Sequence, residues 1–245
     1  MSSRGYNYIF VAYHYDANYI ALRPIKNRSA GELCRVYQEV FTFFAERGLA
    51  PLHHKMDNEC PKALENIIIH TNKNTLQLVP PNDHRTNPAE RAIQTAKAHL
   101  IAGLSSVDPL SPLYLWCCLL PQAEQTLALL RSSNIRPHLS SYTHVHGELD
   151  YNATPFAPPG LKTLIYETPA QRRSWAQHGV VGWYIGPSHN HYRCYKCYVP
   201  ATRGTWDPNT VQFYPHDFAV PKISMDNDME RAMDGLVQDL KHAYS

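Results

Sequence analysis

Residues 6–48 read YNYIFVAYHYDANYIALRPIKNRSAGELCRVYQEVFTFFAERG, and a change of period inside this stretch decides the fold. Tyr6 to Tyr13 is aromatic and β-branched, as a strand requires. His14-Tyr15-Asp16-Ala17-Asn18 supplies turn residues, and Tyr19 to Ile25 reads as the returning strand of a hairpin. From Ser29 the period changes. Ser29-Ala30-Gly31-Glu32 has capping-box spacing. Behind it Leu33, Val36, Tyr37, Val40, Phe41 and Phe44 recur at the spacing of one helix face, and Gly48 stops the helix.

The same alternation of periods continues downstream. Leu52 to Met56 predicts a short strand that runs into Asp57-Asn58-Glu59. Pro61 opens a helix carrying Leu64, Ile67 and Ile68, and Thr75 to Val79 is a strand closed by Pro80-Pro81. Asn87-Pro88-Ala89-Glu90 opens a helix whose apolar face is Ala89, Ala92, Ile93, Ala96, Leu100 and Leu104. A further helical region runs from about Pro112 to Leu130, where Pro121 is expected to kink or split it. The order β-β-α-β-α-β-α-α predicts an α/β fold, a mixed sheet with flanking helices.

Composition shifts after Arg136. Residues 1–136 form the predicted α/β core, and 137–160, rich in Pro, Ser and Tyr, read as a linker. Residues 161–216 hold short strands punctuated by Gly and Pro and predict a small all-β, SH3-like barrel. Residues 217–245 form a tail in which Met229, Met233, Leu236 and Leu240 suggest a helix.

The chain has 245 residues, 44% apolar and 18% charged, which fits a globular protein rather than a disordered one. A formal charge of +2 means that any case for a nucleic-acid partner rests on local patches. Without a secretory layout at the N-terminus, the six cysteines read as reduced thiols. The longest apolar stretch, Leu113 to Leu120, is too short to span a bilayer. The expectation is an intracellular protein of cytoplasm and nucleus with no membrane partner.

Asp57 ends a predicted strand, and Glu90 sits in the first turn of a predicted helix. If strand and helix are neighbours, both carboxylates can face one point, and such oxygen ligands suit Mg²⁺ or Mn²⁺. Both residues also have local explanations. An acid three positions after Asn87, with Pro88 leading the helix, is what a helix N-terminus favours. Asp57 equally suits a turn.

The surrounding segments carry a resemblance. Met56-Asp57-Asn58-Glu59, followed by residues 80–95, PPNDHRTNPAERAIQT, resembles the integrase core of copia-like retrotransposons. Tyr8 to Asn27 is similar to that family's early hairpin and Ser29 to Gly48 to its first helix. Arg172 to Gly179 and Gly182 to Gly186 resemble the small barrel that follows such cores. The resemblance implies a ribonuclease-H-like fold, DNA as partner, self-association, and DNA integration by metal-assisted attack of a 3′ hydroxyl. Asp57 and Glu90 would then be catalytic and hold Mg²⁺ or Mn²⁺. The family's first catalytic Asp lies on a strand before the hairpin. Here Asp16, in the turn, is the only acid upstream of Glu32, so the site is expected to be weak or inactive. A non-enzymatic nucleic-acid-binding protein is the alternative.

The DNA-binding candidates fall in two places. Glu90, Gln94 and Lys97 share one helix face, with Arg91 and Asn87 nearby. From Leu161 to Gly204, Lys162, Arg172, Arg173, Arg193, Lys196 and Arg203 face Glu167 alone, about +5 locally. Trp175, Trp183, Tyr184, Tyr192, Tyr195 and Tyr198 are interleaved with them, a combination suited to backbone contact and base stacking. His189, His191, Cys194 and Cys197 have zinc-like spacing, but residues three apart on a strand point to opposite faces, so no zinc site is expected.

Overall fold

The computed structural model describes residues 1–57, 59–79, 88–105, 107, 113–153, 155–166, 179–188 and 190–214. The chain divides into two compact units, Met1–Ser105 with Pro112–Asp150, and Ser106–Ser111 with Tyr151–Ser245.

The first unit opens with the hairpin. Strands β1 (Tyr8–His14) and β2 (Tyr19–Ile25) pair antiparallel from Tyr8↔Ile25 to His14↔Tyr19. Asn18 closes the turn in the left-handed region (φ 54°), which a short amide side chain tolerates. Strand β2 is apolar on both faces. Tyr19 and Ala21 join one cluster with Val40 and Phe44, while Ile20 and Leu22 join another with Ala92, Ala96 and Leu120.

Helix α1 (Ala30–Ala45) buries Val36, Tyr37, Val40 and Phe44. The expected capping box is half formed. Ser29 Oγ accepts from the Glu32 N–H at 3.4 Å, but the Glu32 carboxylate takes the Lys26 N–H (3.2 Å) rather than that of Ser29. Arg35, hydrogen-bonded to it at 2.9 Å, holds the Glu32 carboxyl down to about 2.

Strands β3 (His53–Asp57) and β4 (Thr75–Val79) run parallel, from His53↔Thr75 to Asp57↔Val79. Parallel strands need a crossover, supplied here by α2 (Lys62–Asn66) and the π-helical turn Ile67–Thr71 that continues it. Leu64 and Ile68 from this crossover pack with Tyr37, Met56 and Leu76. Helix α1 therefore covers β2 with Val40 and Phe44, and β3 and β4 with its Tyr37 side.

Helices α3 (Pro88–Ser105), α4 (Trp116–Leu130) and α5 (Ser141–His146) complete the unit. The small side chains Ala92 and Ala96 let α3 lie close against Ile9, Val11 and Leu22. Pro121 falls inside α4, which runs unbroken past it, so the helix is not split there. Helix α5 lies within residues read from sequence as a linker, and Val145 packs into the Tyr19–Phe44 cluster.

One expectation needs correction. The described strands of this unit form two separate two-stranded ribbons, β1-β2 and β3-β4, rather than one mixed sheet. No described strand hydrogen-bonds the ribbons to each other, and α1 is their shared cover.

The outer edge of β2 is closed by a side chain. Glu124 of α4 is buried, and its Oε2 accepts from the Leu22 N–H (2.8 Å) and from the Arg23 guanidinium (2.6 Å). Its Oε1 accepts from the Tyr19 hydroxyl at 2.8 Å. Arg23 also pairs with Glu39 of α1 at 3.0 Å. Pro24 stands two residues beyond Leu22, where strand alternation would again direct an N–H away from β1, so the missing donor costs the ladder nothing. Burial and the neighbouring Glu124 carboxylate push the Tyr19 hydroxyl upward.

The second unit holds β5 (Lys162–Tyr166), β6 (Gly179–Pro187), β7 (Tyr195–Val199), β8 (Gly204–Trp206) and β9 (Val211–Tyr214). They form an antiparallel sheet in the order β8-β7-β6-β5-β9, bulged between Tyr184 and Gly186. The inner face packs Ile165, Cys197 and Val199 with Val180, Tyr195, Trp206 and Val211. A Cβ at Gly182 would lie 2.6 Å from Ile165 Cδ1, so this close approach needs glycine. The described strands form a five-stranded antiparallel sheet in which β8 and β9 do not pair with each other. The tail helix expected within 217–245 lies outside the described residues.

Two predictions follow from these cores. Glu124→Ala takes one of its two carboxylate partners from the half-buried Arg23 and leaves the Leu22 N–H without its acceptor, and should cost about 3 kcal/mol in urea unfolding. A loss below about 0.5 kcal/mol, the size of an ordinary surface substitution, would show that the network does not hold α4 to β2. The second concerns His54, whose Nε2 lies 3.0 Å from Asn74 Nδ2 and 3.2 Å from the Tyr37 hydroxyl. Burial lowers its pKa to about 4. Between pH 6.5 and 4 the unfolded chain binds the proton that the folded one refuses, so stability is full above 6.5 and falls as the pH drops. Allowing for solvent screening, the loss should be about 2 kcal/mol. His54→Gln should remove that part of the pH dependence in thermal melts.

Candidate metal centre and nucleic-acid interface

Asp57 is the last residue of β3, at the carboxyl end of the parallel pair. Alternation along β3 sorts its side chains. His54 and Met56 turn toward α1, and Met56 packs in the cluster of Tyr37 and Leu64. His53, Lys55 and Asp57 are exposed on the opposite face. Of the adjacent histidines, His53 therefore shares the face of Asp57 and bonds Thr75 Oγ1 at 2.7 Å, while His54 belongs to the core.

Glu90 is in the first turn of α3 and is half-buried. The helix is oriented by Ala92 and Ala96, which anchor its inner face on the hairpin. That leaves Arg91, Gln94 and Lys97 exposed on α3. Ile93, expected on the apolar face, is 47% exposed. It lines an open apolar groove with Ile9, Val11 and Leu100, and Lys97 stands on the same groove. Asn87 lies outside the described residues, as does the connection 80–87 between β4 and α3.

The fit to a divalent cation is partial. Asp57 and Glu90 supply hard oxygen donors, the right chemistry for Mg²⁺ or Mn²⁺. Among the described residues, however, no three His, Cys, Asp or Glu side chains gather where they could hold a metal ion. Asp16 lies in the hairpin turn, which its backbone ties to the segment after α4. Its carbonyl accepts from the Asn134 N–H (3.0 Å) and the Ser133 hydroxyl (3.1 Å). The described donor set does not fit a two-metal centre.

The basic residues of the second unit are in different situations. Arg193 is exposed in a turn with φ 54°. Lys196 pairs with Asp207 at 3.2 Å, which offsets its charge. Arg172, Arg173 and Trp175 lie outside the described residues. Several aromatics read as contact residues are interior. Trp183, Tyr184 and Tyr198 are buried, and Tyr195 packs edge-on to Tyr184 and Phe213. Tyr192 is 73% exposed.

The sequence reading passed over two tyrosines. Tyr166 of β5 and Tyr214 of β9 stand on the outward face of the sheet, with Lys162 Nζ 6.0 Å from the Tyr214 ring centre. The signal was the alternation of Lys162, Leu164 and Tyr166. It needed the pairing of β5 with β9 to acquire meaning.

Cys194 and Cys197 point to different surroundings. Cys197 is fully buried, 3.7 Å from Thr163 Oγ1, and burial pushes its thiol up to about 12. Cys194 is half-exposed, with its Sγ 3.4 Å from the Tyr192 carbonyl. No described helix is long and apolar enough to cross a membrane.

No family model matches the sequence. No curated protein matches it either. Among solved structures, the chain is similar to a chain of the cryo-EM structure of the simian T-cell lymphotropic virus intasome in complex with PP2A regulatory subunit B56 gamma. The two share 13% identity with a TM-score of 0.42, over 84% of this chain and 74% of that one.

Proposed function

We propose that this chain is a DNA-binding protein of the retroelement integrase type, with Asp57 and Glu90 as two carboxylates of a divalent-metal site too sparse for strong strand transfer. The observation that carries the reading is local. An exposed carboxylate ends β3 and a second opens α3 within one compact unit, and α3 presents Arg91, Gln94 and Lys97 outward. A phosphodiester backbone would meet hydrogen-bonding and cationic groups along that helix. Asn87, Arg172, Arg173, Arg193 and Lys196 are further candidates for touching the backbone. Self-association and a nuclear role go with the same reading.

Non-enzymatic nucleic-acid binding is the second reading. It is favoured by the absence, among the described residues, of three His, Cys, Asp or Glu side chains gathered where they could hold a metal ion.

Two measurements test these readings. Binding to duplex DNA should weaken linearly in log–log salt titrations. Arg91→Ala with Lys97→Ala should lower the slope by about 2, since each phosphate left without its cation is worth about 0.9. An unchanged slope would remove α3 from the interface. In strand-transfer assays with Mn²⁺, activity should be weak or absent. Robust transfer abolished by Glu90→Gln would overturn the sparse-site reading and establish an enzyme. Mn²⁺ binding weakened by Asp57→Asn but not by Glu90→Gln would separate the two carboxylates.

A further inference from the structure

The outward face of the C-terminal sheet has a composition that packing does not explain. Strand pairing sets Lys162 beside Tyr214, and Leu164 between Val181 and Gln212. Tyr166 is 39% exposed, Tyr214 37% and Val181 43%. Two rings and a valine thus lie open on one sheet surface.

The rings are held in place. The Tyr166 hydroxyl donates to Gln212 Oε1 at 2.8 Å, which ties β5 to β9 through their outer side chains. Lys162 reaches over Tyr214, with its Nζ 6.0 Å from the ring centre. At the Lys162 end of β6 the same face closes, because Trp183, the other neighbour of Lys162, is only 4% exposed. The open part is therefore the β5–β9 side. None of the outward-facing described side chains on β5, β9 and the facing part of β6 is acidic.

We infer that this face, centred on Tyr166, Lys162 and Tyr214, is a stacking platform for the unpaired bases of a single-stranded nucleic acid. The inference rests on the reading that the chain binds nucleic acid. Flat aromatic surface beside a cation suits a base and its phosphate, whereas a duplex hides the base faces inside its own stack. Tyr166 lies four residues along the strand from the Lys162–Tyr214 pair, roughly 13 Å, so each ring takes its own base. Lys162 supplies a cation near Tyr214 for the phosphate. The chemistry reads no sequence, since every base has a π-face.

The test is fluorescence anisotropy of the full chain with labelled oligothymidylate and, separately, with duplex DNA of equal length. Tyr166→Ala and Tyr214→Ala should each weaken oligothymidylate binding about tenfold. Duplex binding should change little. Tyr166→Phe and Tyr214→Phe keep the rings and should stay within about twofold of the parent. Lys162→Gln should lower the salt slope by about 1. Alanine variants that melt like the parent and bind oligothymidylate equally well would overturn the platform. If those variants fail to fold, photocrosslinking of iodouracil-substituted oligonucleotide to the parent chain decides. Adducts on Tyr166 or Tyr214 support the platform, and adducts confined elsewhere overturn it. Duplex binding without oligothymidylate binding would sink the platform alone. No binding to either would sink the platform together with the DNA-binding reading.

Discussion

The carboxylate of Glu124 is the constraint on which the first unit depends. It sits in α4 and satisfies the Leu22 N–H, the Arg23 guanidinium and the Tyr19 hydroxyl, all on β2. A buried charge is costly unless paired and hydrogen-bonded, and here both oxygens are engaged. The arrangement closes a strand edge that would otherwise expose its donors. It also sets where α4 lies, because the backbone N–H of Leu22 cannot move without its strand. Arg23 extends the link to the half-exposed Glu39, so α1, β2 and α4 meet at one polar junction.

That junction explains how both faces of β2 are filled. Val40 and Phe44 of α1 cover Tyr19 and Ala21, while α3 and α4 cover Ile20 and Leu22. The small Ala92 and Ala96 let α3 approach, and this approach orients the helix that carries Glu90. Asp57 is placed by a different route. The parallel pairing with β4 and the packing of Met56 beneath α1 put His54 inside and Asp57 outside. The two carboxylates are thus set by separate packing decisions, and neither depends on the other for its place.

The second unit obeys a simpler rule. Its inner face is crowded enough that Gly182 has no room for a Cβ. Buried Cys197 and Tyr184 belong to that packing. What remains open to a partner is on the outer face and in the turns, where Tyr166, Tyr214, Tyr192 and Arg193 lie.

The hairpin, the α1 face and the strand–helix–strand order of β3, α2 and β4 were legible from period alone, because alternation and 3.6-residue repeats are local properties of a chain burying one side. The strand read from Tyr192 begins only at Tyr195, so Cys194 stands in the preceding turn and strand alternation is not what sets it apart from the buried Cys197. Other features were not local. Nothing near Glu124 in sequence announces that it will cap β2 a hundred residues away, and a glutamate in a helix ordinarily reads as solvated. Splitting of the strands into two ribbons, burial of Trp183, Tyr184 and Tyr198, and neutralisation of Lys196 by Asp207 all arise from pairing between strands and loops that only the fold brings together. The sequence by itself determined which segments are strands and helices and which acids end or open them. Only the tertiary structure decided which tyrosines face outward and which charges are already paired. Exposure and pairing depend on neighbours that the chain brings together only when it folds.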